Sequence, residues 1–174
     1  VKPLGNGTAT IAARLKRDDS LIEISAEVTS FHVQRPVSFP NDVVPQLTRA
    51  GCNGGACHGT PKGRNNFRLS LLGFEPREDY EFLTRESRGR RFFPAAPERS
   101  LLLQKACGEI PHGGGVRLPK KSDSYELLKR WIAEGLSYGP ENDPTVERIE
   151  IHPSDRVVSR GGSQQLAVMA FFSD

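Results

Sequence analysis

Apolar and polar residues alternate at both ends of this chain but not in its middle. From Thr8 to Leu15, and again through Leu21, Ile22, Ile24, Ala26 and Val28, apolar residues recur at about every second position, the period of a half-buried strand. Lys16 to Ser20 supplies the turn between them. The pattern returns from Val146 to Ile151 and from Gln164 to Phe172, with Pro153 and Gly161-Gly162 as turns. Neither end carries the roughly seven strands that a β-sandwich needs. The two ends therefore read as fragments of neighbouring domains, or as strands that pair with each other into one small sheet.

From about Pro36 to Gly139 the pattern is helical and rich in loops. Asn41 or Asp42 is placed to cap a helix over 42–51 that presents Val43, Val44 and Leu47, with Pro45 in its first turn. Ser122 or Asp123 opens a second helix over 123–135. There Tyr125, Leu128, Trp131 and Ile132 recur at helical spacing, Glu126 completes a capping-box-like start, and Gly135 ends the run. The spacing of Tyr125 and Trp131 assigns both to the core.

Composition narrows the class. Hydrophobic residues make up 36% of the 174 and charged residues 26%, which suits a folded chain. Thirteen prolines and seventeen glycines imply many turns. No apolar run approaches the roughly 20 residues of a membrane span, so no transmembrane segment is expected in this fragment. The chain opens on Val1 with no initiator Met or leader, and reads as a mature or excised piece. A net charge of +3 is too mild to argue for a nucleic-acid partner.

The chemistry concentrates in Gly51-Cys52-Asn53-Gly54-Gly55-Ala56-Cys57-His58-Gly59. Two cysteines followed at once by a histidine form the pattern of covalent haem attachment, in which each thiol bonds one vinyl group and the imidazole becomes an axial ligand of the iron. Four residues separate these cysteines where two are usual, and those four are small or turn-forming. The alternatives are a local Cys52–Cys57 disulfide, a zinc site in which Cys107 or His112 joins Cys52, Cys57 and His58, and free thiols beside a surface histidine. The disulfide leaves His58 without a role, and zinc favours cysteines two residues apart. One covalent haem c held by Cys52, Cys57 and His58 is the reading adopted.

Candidates for the iron's sixth position are His112, Cys107, Met169, His32 and His152. Met169 lies in an alternating strand outside the central segment, and His32 and His152 stand at its junctions. Cys107 reads as a small buried residue at a helix end, and as an odd cysteine it is a candidate for intermolecular pairing. His112 follows Pro111 and precedes Gly113-Gly114-Gly115, a loop that permits close approach to a flat cofactor. The metal ligands expected are His58 and His112. Of the cluster Arg85, Arg88, Arg90 and Arg91, the last two precede Phe92-Phe93 and are the expected partners of the haem propionates, because a guanidinium binds a carboxylate as a fork. The same cluster suits an acidic polysaccharide or an acidic redox partner, or serves only as a solvated face. Phe67, Phe92 and Phe93 are candidate walls of the haem site, or ordinary core residues.

Several of these segments, in this order, resemble the planctomycete-type cytochrome c domain found in large exported proteins. They are Val37-Ser38-Phe39, Asn41 to Pro45, Gly51 to Gly59, Phe67 to Gly73, Gly89-Arg90-Arg91, Ser100 to Leu103, Pro111 to Gly115 and the Tyr125-to-Gly135 helix. The flanks resemble bacterial immunoglobulin-like repeats, with Gln164-Gln165-Leu166 and Phe172-Ser173-Asp174 carrying the second match. The resemblance implies an α+β chain: a small, mostly α-helical cytochrome c-like domain at 36–138, flanked at 1–33 and 145–174 by strands of immunoglobulin-like sandwiches. It also implies a periplasmic or extracellular location. No nucleophile elbow, phosphate loop or paired metal-binding histidines on a helix point to an enzyme. The expected role is one-electron transfer with a redox partner protein. The alternative is an extracellular binding or adhesion module, for a polysaccharide for example, in which haem or a disulfide is structural. An open sixth position would favour gas sensing.

Overall fold

The structure, a computed structural model, describes residues 3–32 and 34–174. The domain limits drawn at Val1 and Val33 lie outside the described residues. The chain divides into two compact units, Val1–Pro36 and Val37–Asp174.

The first unit is a single antiparallel hairpin of β1 (Gly7–Arg14) and β2 (Leu21–Val28), paired from Gly7 opposite Val28 to Arg14 opposite Leu21. The turn closes where Leu15 N–H donates to Ser20 O at 2.9 Å. Ile22 and Ile24 are 60% and 64% exposed, so alternation along β2 does not correspond to burial under a second sheet.

The second unit contains the core and four short helices. α1 (Val44–Arg49) is entered through a π-helical turn, Phe39–Val43. The cap is Ser38, whose hydroxyl accepts from Asn41 N–H. Asn41 and Asp42 lie inside that turn, and the regular helix is shorter than the 42–51 segment expected. α2 is Pro76–Thr84, α3 is Leu101–Ala106, and α4 is Asp123–Ala133. Ser122 caps α4, its Oγ accepting from Tyr125 N–H at 3.2 Å. A second hairpin, β3 (Val146–His152) with β4 (Ala167–Phe172), ends the chain and carries a register shift between Val146 and Arg148.

This architecture corrects the expected fold class. Helix accounts for 27% of the residues and strand for 18%, in four short helices and two separate two-stranded sheets. The chain is therefore not a mostly helical cytochrome c-like domain flanked by immunoglobulin-like sandwiches. The physical reason is visible in each part. Prolines and glycines interrupt the middle segment before any helix but α4 completes three turns. The apolar residues of the hairpins find no facing sheet among the described residues: Ile149, Val168 and Met169 are 61%, 61% and 51% exposed. The terminal strands also do not pair with each other, since each closes locally with its sequence neighbour, where the loop to be closed is shortest.

The core lies where α4 meets the π-helical turn. Phe39, Val43, Leu83, Leu103, Leu128, Trp131 and Ile132 are fully buried there, with Val37, Leu47, Leu118 and Tyr125 close to it. Phe39, Phe92, Tyr80 and Tyr138 surround or extend from Trp131, with ring centres 5.3–6.1 Å apart in mostly edge-on or tilted contacts. The indole N–H of Trp131 donates to Ser137 O at 2.7 Å, so its burial leaves no donor unmet. The two ends of this core segment are tied together. Phe39 N–H donates to Tyr138 O at 2.8 Å, Val37 N–H to Glu134 Oε2 at 2.9 Å, and the Ser38 hydroxyl pairs with Asp143. No helix among the described residues is long and apolar enough to cross a membrane.

Trp131→Ala removes the largest fully buried side chain, and chemical denaturation is expected to show a loss of about 3–5 kcal/mol. A loss below about 1 kcal/mol would mean that α4 does not organise this core.

Candidate functional site

The segment after α1 is shaped by a sequence of tight turns. Cys52 N–H donates to Leu47 O at 2.8 Å, His58 N–H to Cys52 O at 2.9 Å, and Cys57 N–H to Gly54 O at 2.9 Å. The loop is wrapped around Asn53, which is 1% exposed and donates through Nδ2 to Thr48 Oγ1 at 2.8 Å. Gly59 closes the wrap. A Cβ at this position would stand 2.1 Å from Asn53 O, a backbone atom that cannot yield, so only glycine passes here. The four residues between the cysteines are thus accommodated by coiling, and both cysteines line the same cavity.

This loop borders a cavity of about 530 Å³. Cys52, Cys57 and His58 line it together with His112, Gly113 and Gly114, and Leu47, Leu69, Leu101 and Leu102 are among its apolar surfaces. The size falls in the range of cofactor pockets, about 300–1,000 Å³. Five cations line it as well (Arg64, Arg90, Arg91, Lys105 and Arg117), and no Asp or Glu does.

The two histidines are arranged alike. His58 Nδ1 is 2.9 Å from Phe67 O, and His112 Nδ1 is 3.0 Å from Gly115 O. Each carbonyl favours the tautomer with hydrogen on Nδ1, which leaves Nε2 as the nitrogen available to a metal. The rings are stacked, with planes 5° from parallel and centres 6.4 Å apart. Two imidazoles sharing one metal would need facing Nε2 atoms with bonds of about 2 Å each, which puts ring centres at a similar separation, roughly 6 Å. Burial lowers the pKa of His58, which favours the neutral, metal-binding form. The His112 ring lies over Gly114, where an added Cβ would approach Cε1 to 3.0 Å.

All three cysteine thiols are free. Burial pushes the Cys52 thiol up to about 11, with Cys57 acting in the same direction and Arg117 opposing. Among the described residues, no three His, Cys, Asp or Glu side chains converge on one point as around a structural zinc. Two imidazoles, two thiols, leucines and several cations around one cavity are a donor set that would suit a planar macrocycle bringing its own ligands.

The structure thus brings Cys52, Cys57, His58, His112, Arg90 and Arg91 to one cavity. Arg91 is already engaged. It is 6% exposed, and its guanidinium donates to Phe82 O, Glu86 O and Asn66 O at 2.9–3.2 Å while lying 4.6 Å from the Phe67 ring centre. Its fork therefore ties the Asn66-Phe67 segment behind His58 to α2 and the turn after it. Phe67 lines the cavity and contacts the His58 ring at 4.4 Å. Phe92 packs edge-on against Trp131, and Phe93 is 49% exposed. Cys107 is not a lining residue, and its thiol faces Gln104 O at 3.6 Å. His32 and His152 are exposed, the latter with Nε2 3.4 Å from Glu150 Oε2, and Met169 lies on the second hairpin. Arg85 and Arg88 are exposed, Arg85 paired with Glu81.

Sequence reasoning missed Arg64, Lys105 and Arg117. Each stands alone among neutral residues or within a helix, so no run of charge marks it. Comparison with models of protein families, with curated proteins and with solved structures gives no match.

Gly59→Ala is expected to destabilise the protein by more than about 3 kcal/mol, through the collision with Asn53 O. In Gly55→Ala the new methyl would first meet Leu71 Cδ1 at 3.9 Å, and a change within about 0.5 kcal/mol is expected. Equal effects of the two substitutions in denaturant titrations would contradict the wrapped-loop geometry.

Proposed function

We propose that this chain is a c-type haem module that carries one electron at a time, an electron-transfer module rather than an enzyme. The observation that supports this most directly is the pair of near-parallel imidazoles, 6.4 Å between centres, across a cavity that also presents two thiols. In this reading Cys52 and Cys57 would hold the haem through thioethers, each S–H adding across one vinyl group with no net oxidation. His58 and His112 would ligate its iron, each ring oriented by the carbonyl at its Nδ1. Leu47, Leu69, Leu101 and Leu102 keep water from the macrocycle faces. Arg90, Arg64 and Arg117 offer exposed donors to the propionates, while Arg91 supports the segment behind His58.

When bound, the haem supplies an iron that gains and loses one electron without making or breaking bonds to substrate. Its thioethers are made outside the cytoplasmic membrane in bacteria, so a periplasmic or extracellular location follows from the reading. The resemblance to planctomycete-type cytochrome c segments points the same way. The natural partner would be a redox protein, one whose acidic surface suits the cationic rim.

The test begins with the chain made in cells that carry a haem-maturation system. Denaturing electrophoresis should give a haem-staining band, and the oxidised and reduced absorption spectra should be those of a low-spin c-type haem. Cys52→Ala with Cys57→Ala should abolish the stain. His112→Ala should leave the haem attached but open the sixth position, giving a high-spin ferric spectrum and carbon monoxide binding in the ferrous state. A colourless wild type with a Cys52–Cys57 disulfide would sink the proposal, and affinity of that colourless protein for an acidic polysaccharide would favour the binding-module reading.

A further inference from the structure

One side chain bonds the loop that holds His112 and lies beside the loop that holds His58. Arg117 Nε donates to Gly114 O at 2.7 Å. Its Nη1 lies 3.8 Å from where a Cβ on Gly51 would stand, van der Waals range, one residue before Cys52. The base of this side chain is fixed, because Arg117 N–H and Leu118 N–H both donate to Ala106 O, at 2.8 and 3.0 Å, where α3 ends. Lys105, on α3, secures the other end of the loop by donating to Pro111 O at 3.1 Å. The loop's own hydrogen bonds are few: Gly115 N–H to His112 O at 2.9 Å, and the ring contact at Gly115 O. With three glycines in succession, it has little intrinsic preference for the conformation that sets the distal ring.

We infer that Arg117 is the positioning residue for the sixth ligand: it clasps the His112 loop to the attachment loop and so sets the span between the two imidazoles. This rests on the haem reading above. Among the described residues no Asp or Glu lines the cavity to compete for the guanidinium, and the macrocycle that would fill it carries carboxylates. The fork geometry matters, since one arm engages the distal loop while the other lies against the attachment loop. A lysine keeps the charge but cannot span both.

The experiment compares wild type, Arg117→Gln, Arg117→Lys and Arg99→Gln, all made as the full chain with haem maturation. Arg99 is exposed and does not line the cavity, so it controls for loss of one positive charge. Arg117→Gln and Arg117→Lys should both retain stained haem, show a high-spin ferric fraction absent from wild type, and bind carbon monoxide about 10-fold faster or more, the scale on which residues behind a metal ligand act. Amides of residues 112–115 should exchange hydrogen faster, while those of α4 are unchanged. Arg99→Gln should match wild type in every readout. If the Gln variant does not fold, the Lys variant carries the same test. A wild-type spectrum and carbon monoxide rate in both Arg117 variants would overturn the clasp while leaving the haem reading intact. A wild type without haem would overturn the reading beneath it, and the clasp with it.

Discussion

Each of the two cavity histidines is tethered through Nδ1 to a backbone carbonyl, and the geometry of the centre follows from that pair of hydrogen bonds. A free imidazole on a surface loop samples several rotamers and both tautomers, so its orientation toward a ligand is lost in the average. Here Phe67 O accepts from one ring and Gly115 O from the other, which leaves the same nitrogen, Nε2, outside that bond on each. The two anchoring carbonyls come from different parts of the chain, so the separation of 6.4 Å depends on everything that positions those parts. Arg91 holds the first through Asn66 O; Lys105 and Arg117 hold the second through Pro111 O and Gly114 O.

The rest of the fold explains how so small a unit maintains a cavity at all. Long packed helices would ordinarily hold such a space open. This chain has only short ones, and relies on side chains that satisfy loop carbonyls. Asp79 serves one such joint: it is 1% exposed and accepts from Ser70 Oγ at 2.7 Å, tying α2 to the loop that follows His58. The Trp131 core is continuous with the cavity wall, since Leu47, Leu69 and Leu118 belong to both. Core packing and loop clamping divide the task, the first giving stability and the second giving orientation.

The central site was legible in the sequence to the extent that its chemistry is local. Cys52, Cys57 and His58 are adjacent, and the Pro111-to-Gly115 loop carries its own backbone signal, so their meeting at one cavity needed only the right fold. The α4 helix was legible for the same reason, because its period and its cap are written in consecutive residues. What was not legible depends on long-range pairing. Arg64, Lys105 and Arg117 are isolated charges whose role appears only when distant loops converge. Arg91 was expected at a propionate; that three carbonyls from other segments also take three of its five donors depends on the tertiary fold. The start of α1 was misplaced because Ser38, ahead of two prolines and an Asn-Asp pair, caps a π turn rather than a regular helix. Alternation at the two ends predicted strands correctly but overstated the architecture, since a period of two says that a strand forms and not that a second sheet covers it.

The central claim is that His58 and His112 face one iron from opposite sides with parallel rings. Low-temperature electron paramagnetic resonance of the purified ferric protein tests it most directly, because that spectrum reports both the spin state and the mutual orientation of axial imidazoles. Near-parallel rings predict a single rhombic low-spin signal of the paired-imidazole type. A high-spin axial signal, the strongly anisotropic signal of crossed rings, or the signature of a thiolate ligand would contradict the account.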